Sequence, residues 1–122
     1  MPVQLHSKLI KKEKLKEDIF KFSLSAKEIT DIAKPGQFIE IRITDGLDPF
    51  LRRPISIYNM DKEKGILEII FRIQGKGTKI LSRRKEGETV DIIGPLGYGT
   101  FKFEGYQNIA ILRWRNRCFS TL

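Results

Sequence analysis

The sequence predicts an all-β domain whose short strands close into an antiparallel barrel. Apolar and polar residues alternate with period two in several short segments, as in IFKFSLS at residues 19–25. Only residues 78–84 carry helical signals, because Thr78 can cap a helix in which Ile80 and Leu81 form an apolar side. Glycine and proline or polar residues separate the segments, at 34–36, 45–49, 61–65, 75–77 and 94–99.

The elements follow one another in a simple order. The predicted strands cover residues 3–15, 18–25, 37–43, 54–58, 65–73 and 88–92, and a further strand begins at 107–112. The predicted helix, 78–84, lies between the last two complete strands. The chain contains no internal repeat and no low-complexity segment.

Composition excludes several classes of protein. The chain has 122 residues, of which 40% are hydrophobic and 31% charged, as expected for one soluble globular domain. No apolar run approaches the roughly 18 residues of a membrane helix, and the first residues lack a signal-peptide pattern, which predicts a cytoplasmic protein. One cysteine, Cys118, and one histidine, His6, exclude an internal disulfide and a zinc or iron–sulfur site formed within this chain.

The net charge of +8 is compatible with nucleic acid, with an anionic cofactor or with plain solubility. Most basic residues are interleaved with acids, as in KKEKLKED and RRKEGE, which is typical of a solvated surface. A nucleic-acid-binding barrel is therefore an alternative, but the aromatic clusters that stack on bases are missing around the basic residues, and nucleic acid is disfavoured as a partner.

The segment LRRPISIY at 51–58 is the first that contains residues suited to binding a ligand. Arg52 and Arg53 precede a strand, and an arginine there offers a planar charged fork suited to phosphate. Ser56 has a hydroxyl and a backbone amide that can meet the edge of a heteroaromatic ring. The alternative is a pair of surface charges before an ordinary strand. Alternation places Pro54, Ser56 and Tyr58 on one face and Ile55 and Ile57 on the other.

The segment FRIQGKGT at 71–78 is the second. Glycines before a helix expose backbone N–H groups and let an anion approach closely, and Thr78 adds a hydroxyl. The spacing matches neither a Walker loop nor a dinucleotide fingerprint, so an ordinary turn with a helix cap is the alternative. The third segment, GPLGYGTF at 94–101, predicts only a tight loop.

Taken together and in this order, RRPISIY and FRIQGKGTKILSRRKEGETVDIIGPLGYGTF resemble the flavin-binding barrel of ferredoxin-reductase-type proteins. The resemblance extends to the electron-transfer subunits of dihydroorotate dehydrogenases and covers roughly residues 3–112. It implies a six-stranded antiparallel Greek-key barrel with one short helix, formed by residues 1–105, and FAD as cofactor. Related barrels serve sulfide dehydrogenases and hydrogenases, so the flavin is better specified than the partner.

The resemblance also implies which residues hold the flavin. In the family, the arginine at the position of Arg53 pairs with the FAD diphosphate, and the backbone and the serine at Ser56 approach the isoalloxazine. Residues 70–72 match a stretch lining the flavin on the neighbouring strand. Tyr58 could stack on an aromatic ring or belong to the core. The matched positions are Arg53, Pro54, Ile55, Ser56, Ile70, Phe71, Arg72, Gly77 and Thr78.

The end of the chain departs from the family pattern. Residues 106–112 match the start of the first strand of an NAD-binding domain, after which the family has a glycine-rich loop and later a cysteine cluster for a [2Fe–2S] centre. This sequence has RWRNRCFSTL at 113–122 instead, so the sites for NAD(H) and the cluster are absent from it. A possible coding sequence for this stretch, shifted by one base, encodes LGGGIGVFPL. We expect a frameshifted or truncated tail; a genuine basic tail is the alternative.

The family function sets the expectation for this chain. Full-length relatives pass electrons between NAD(H) and the FMN of a dihydroorotate dehydrogenase catalytic subunit in pyrimidine biosynthesis, in a heterotetramer. Residues 1–112 could supply the FAD pocket alone, and we expect no activity from them unaided. A regulatory or assembly subunit with an empty barrel is the alternative.

Overall fold

A computed structural model of the chain describes residues 2–43 and 52–97, together with residues 105, 107, 108 and 110. The predicted loop at 45–49 and the tail at 113–122 lie outside the described residues, as do residues 109, 111 and 112 of the strand start predicted at 107–112. The expectations for these segments stay predictions.

The described residues form six strands and two short helices. The strands are β1 (Val3–Lys16), β2 (Ile19–Ser25), β3 (Phe38–Ile41), β4 (Arg53–Asp61), β5 (Ile66–Arg72) and β6 (Thr89–Leu96). The helices are α1 (Lys27–Thr30) and α2 (Lys76–Leu81).

The strands close into an antiparallel barrel in the order β1-β2-β5-β4-β3-β6. β3, β4 and β5 are sequential neighbours, whereas the chain crosses from β2 to β3 and from β5 to β6 without pairing those strands. Such crossings give a Greek-key connectivity. Each helix lies in one of the two crossing connections. The predicted six-stranded antiparallel barrel is confirmed.

The barrel interior is filled by one face of each strand. On β2, Phe20, Phe22 and Leu24 are buried, as the period-two pattern predicts. The ring of Phe22 meets that of Phe71 from β5 edge-on, with the centroids 5.0 Å apart. Burial of such side chains stabilises the fold by about 1.5–3 kcal/mol each. The largest fully buried side chains are Phe22, Leu9, Leu24, Ile29, Ile39, Ile41, Ile43, Ile57, Leu67, Ile69, Leu81 and Ile92.

β6 is longer than predicted. It continues to Leu96, through a Gly94-Pro95 pair that the sequence analysis places in a turn. Gly94 is needed because a Cβ there would lie 2.7 Å from Cγ2 of Ile39 on the neighbouring strand. The pairing of β3 with β6 shifts register at this point, and such irregularities tolerate a proline.

α2 begins earlier and ends earlier than the predicted 78–84. Its N-cap is Gly75, so Thr78 lies inside the first turn. The Thr78 hydroxyl accepts hydrogen bonds from the N–H groups of Gln74, at 2.9 Å, and Gly75, at 3.3 Å. Thr78 thus satisfies the backbone N–H groups of the turn that precedes α2, and it is not the N-cap of that helix. Of the predicted helical residues after Leu81, Ser82 and Arg83 form a turn and Arg84 is irregular.

α1 is a single turn that the sequence analysis does not predict. Ile29 and Thr30 are buried, and the N–H of Ala26 bonds to the carbonyl of Gly65 at 2.8 Å, which ties α1 to the turn between β4 and β5. Four residues carry too little periodicity to be recognised in a sequence. Within the described ranges, neither helix has the length or apolar character to cross a bilayer.

Candidate functional site

β4 presents the first predicted motif as alternation requires. Ile55 and Ile57 are buried, while Pro54 and Ser56 are exposed on the outer side. The side chain of Ile55 belongs to the core, so this residue can offer only its main chain to a ligand. Tyr58 is 37% exposed, which excludes the core position considered for it.

The wall of the barrel is unpaired on one side of this motif. β4 pairs with β5 from Ile57 opposite Ile69 to Asp61 opposite Ile66. Among the residues that the structure describes, 53–56 pair only with β3, and 70–72 pair only with β2. We call the facing residues 53–56 and 70–72 the open β4–β5 stretch. The backbone groups along this stretch can hydrogen-bond to the edge of a planar ligand. The stretch contains seven of the nine predicted site residues.

The Arg53 guanidinium lies against α2. A methyl group built on Gly77 would be 2.7 Å from Nε of Arg53 and 3.3 Å from its Nη2. Only glycine leaves this space, because the guanidinium packs directly on the bare Cα. The structure therefore brings together Arg53 and Gly77, which are remote in sequence, at the end of the open β4–β5 stretch.

The Arg53 guanidinium is exposed and available to a ligand. Within the part of the chain that the structure describes, the Arg53 side chain has neither an ion pair nor a hydrogen bond. The first turn of α2 adds backbone N–H groups beside it. A guanidinium and a helix start pointing to one place form a good site for a phosphate or diphosphate. The arrangement fits the diphosphate of FAD.

The Thr78 hydroxyl makes its hydrogen bonds within the turn before α2. That hydroxyl accepts two backbone hydrogen bonds and donates to the carbonyl of Gly75 at 3.3 Å. It is thus committed to the turn between β5 and α2. The backbone N–H of Thr78, in the first helical turn, is the group that can reach an anion.

The three β5 residues differ in what they offer. Phe71 contributes its ring to the core, where it also stacks with Phe20 at a centroid distance of 6.0 Å. Ile70 is 7% exposed, and its place in the strand puts it on the opposite side from Phe71. Arg72 is exposed at the end of the strand, where its Nε donates to Asp18 Oδ2 at 2.7 Å.

Asp18 is a residue that the sequence analysis missed. It lies in the turn between β1 and β2 and is 54 positions from Arg72 in sequence. The hydrogen bond from Arg72 holds the pKa of the Asp18 carboxyl below its usual 3.8. No local sequence signal identifies such a partner, since only the β2–β5 pairing brings the two residues together.

This ion pair predicts a pH dependence of stability. Because the pKa of Asp18 is lower in the folded chain, its contribution is present above the unfolded pKa and is lost as pH falls through the folded value. We expect Asp18→Asn to be less stable than the unmutated chain at pH 7, with the difference shrinking below about pH 4. Urea unfolding from pH 7 to pH 3 measures it, with Glu17→Gln as the control. A difference independent of pH would contradict the assignment.

A second cluster borders the outer side of the open β4–β5 stretch. Nζ of Lys21 lies 3.0 Å from Oε2 of Glu68 and 5.9 Å from the centroid of the Tyr58 ring. The hydrogen bond to Glu68 raises the pKa of Lys21 above its usual 10.5. Lys21 is paired with Ile70 across β2 and β5. The positive charge of Lys21 therefore lies beside the exposed ring of Tyr58.

Comparison with known proteins agrees with this site. The family model for the oxidoreductase FAD-binding domain matches residues 6–103. The electron transfer subunit of dihydroorotate dehydrogenase B (NAD(+)) from Bacillus cereus (strain B4264) is 41% identical over 91 residues, which are 75% of this chain and 35% of that protein. The subunit of the same name from Bacillus anthracis (strain CDC 684 / NRRL 3495) matches to the same extent. The chain thus spans about a third of the length of these relatives.

Solved structures show the same barrel. An NADH-dependent reduced ferredoxin-NADP oxidoreductase, studied for flavin-based electron bifurcation, aligns with a TM-score of 0.73 and 33% identity over 80% of this chain and 34% of its own. The ferredoxin reductase of carbazole 1,9a-dioxygenase aligns with a TM-score of 0.65 and 21% identity over 79% of this chain and 29% of its own, which shows the fold alone. The predicted resemblance to ferredoxin-reductase-type barrels is confirmed, and with it FAD as the cofactor. The chain belongs to the family of oxidoreductase FAD-binding domains.

Proposed function

We propose that this chain is the FAD-holding barrel of an electron-transfer subunit. That subunit passes electrons between NAD(H) and the FMN-containing catalytic subunit of a dihydroorotate dehydrogenase, within a cytoplasmic heterotetramer that serves pyrimidine biosynthesis. The observation that carries the FAD site is the guanidinium of Arg53, which has no partner among the described residues and lies against Gly77 at the start of α2. The partner is inferred from relatives that are 41% identical and bear that subunit's name.

One group of residues would bind the diphosphate of FAD, and another would contact its isoalloxazine ring. Arg53 would neutralise one phosphate, and the N–H groups of Gly77 and Thr78 would bind phosphate oxygens. Residues 54–56 and 70–72 would lie along the isoalloxazine, with Ser56 offering its hydroxyl on the exposed side. Bound FAD supplies the redox chemistry, while the protein supplies placement and electrostatics.

The binding step is tested by titrating the unmutated chain into FAD and following the flavin fluorescence. We expect saturable quenching by FAD and weaker binding of FMN, because FMN lacks the second phosphate that Arg53 and α2 would share. A single-stranded oligonucleotide serves as the control ligand and is expected not to bind. A folded chain that leaves FAD fluorescence unchanged would overturn the proposal and favour an empty barrel.

The partner is tested with the same FAD-loaded chain. Mixed with a dihydroorotate dehydrogenase catalytic subunit, it is expected to co-elute in gel filtration. Separate elution would contradict the role in pyrimidine biosynthesis while leaving FAD binding intact, so the two parts of the proposal can fail independently.

A further inference from the structure

The adjacent arginines Arg52 and Arg53 have different surroundings. Arg52 Nη2 lies 3.1 Å from Oδ1 of Asp91, and its Nη1 donates to the Asp91 carbonyl at 3.2 Å. The side chains of this ion pair are 20% and 10% exposed, so water screens it little. Arg53, in contrast, has no such partner among the described residues.

The ion pair spans three strands. Asp91 belongs to β6, and the same carbonyl that Arg52 contacts also accepts the N–H of Arg42, which follows β3, at 2.9 Å. The pairing of β3 with β4 ends at Ile41 opposite Arg53. Arg52 therefore reaches from the start of β4 across β3 to β6, at the point where the pairing of β3 with β4 ends.

The Asp91 carboxylate is itself held in place. Nε2 of Gln4, from β1, donates to Oδ1 at 3.1 Å and lies 3.2 Å from Oδ2. The carboxylate thus receives donors from β1 on one side and from Arg52 on the other. A carboxylate fixed in this way gives Arg52 one preferred position.

Anchoring Arg52 also sets the direction of Arg53. Successive side chains of an extended chain point to opposite sides, so a fixed Arg52 turns Arg53 the other way, towards Gly77. A free arginine side chain carries substantial rotamer entropy, and part of it is lost when the side chain binds a phosphate. Restricting the backbone before binding reduces that loss.

We infer that Asp91 is a positioning residue for the FAD diphosphate, acting by holding Arg52 so that Arg53 faces the start of α2. The inference rests on the proposed FAD function and deepens it. Asp91 also keeps the guanidinium of Arg52 away from the phosphate, so that a single arginine fork meets the anion.

The test is a double-mutant cycle on FAD affinity, read by fluorescence quenching. Asp91→Asn is expected to raise the Kd about five- to tenfold in the unmutated background. In an Arg53→Ala background the same change is expected to alter the Kd less than about twofold, because the group that Asp91 positions is gone. Asp31→Asn, which removes an acid ion-paired with Lys27 at 3.2 Å on the surface, is the control and should leave the Kd unchanged.

A second variant keeps the inference testable if Asp91→Asn does not fold. Arg52→Gln removes the other half of the pair and is expected to show the same loss and the same dependence on Arg53. An unchanged Kd in either folded variant, or an equal loss with and without Arg53, would overturn the inference while the FAD function stands. Failure of the unmutated chain to bind FAD would overturn both.

Discussion

Replacing Arg53 with alanine is expected to weaken FAD binding about 10- to 150-fold. A hydrogen bond to a charged group contributes about 1.5–3 kcal/mol, which corresponds to that range of Kd. The loss is expected near the upper end of that range, because the Arg53 side chain has no ion-pair partner among the described residues that would compete with FAD. Fluorescence titration of FAD measures the change.

Two variants make the result specific to the guanidinium fork. Arg53→Lys keeps the charge but loses the planar pair of donors, so we expect an intermediate affinity. Arg83→Ala removes an exposed arginine that follows the other end of α2 and should leave the Kd within about twofold. Equal Kd values for the unmutated chain and Arg53→Ala would remove Arg53 from the site.

Replacing Gly77 with alanine is expected to weaken FAD binding about tenfold without lowering stability. The new Cβ would lie 2.7 Å from Nε of Arg53, so the guanidinium has to leave its place. The neighbour that yields is the mobile end of a side chain, so the fold need not shift. Alanine is moreover favoured over glycine in a helix by about 1 kcal/mol. Affinity and stability are thus expected to move in different directions.

Gly75→Ala is the matched control for this variant. Gly75 is the N-cap of the same helix, its φ of −179° is extended backbone that any residue adopts, and a Cβ there meets nothing within 4 Å. We expect FAD affinity within about twofold of the unmutated chain. Fluorescence titration and urea unfolding of both variants separate the effects. Loss of stability in Gly77→Ala with unchanged affinity would show that Gly77 serves packing alone.

The strands were predictable from sequence because each strand of the barrel has one buried and one exposed face, which produces a period-two alternation of apolar and polar residues. The segment IFKFSLS gives β2 in this way, and Phe22 and Leu24 are buried as expected. β6 was predicted too short, since Gly94 and Pro95 are turn residues by local preference. Their place in a strand is set by Ile39 on the neighbouring strand, which no local pattern reveals.

The sequence predicted the site only where the residues that form it are neighbours along the chain. The sequence identifies two arginines at the start of β4 but does not distinguish them, because the partner of Arg52, Asp91, lies 39 positions away. The same limit applies to Asp18, which pairs with Arg72 across 54 positions. The convergence of Arg53 with Gly77 could be expected from the family resemblance, and it is a property of the strand order β5-β4-β3 with α2 at its end.

The most direct test of the FAD site is hydrogen–deuterium exchange of the chain with and without FAD. We expect slower exchange at residues 53–56, at residues 70–72 and in the first turn of α2, because the cofactor covers the open β4–β5 stretch and the start of that helix. The hairpin of β1 and β2 around Lys14 is expected to exchange unchanged, and it serves as the internal reference. Protection of that hairpin, or unchanged exchange at residues 53–56 in the presence of saturating FAD, would contradict the site described here.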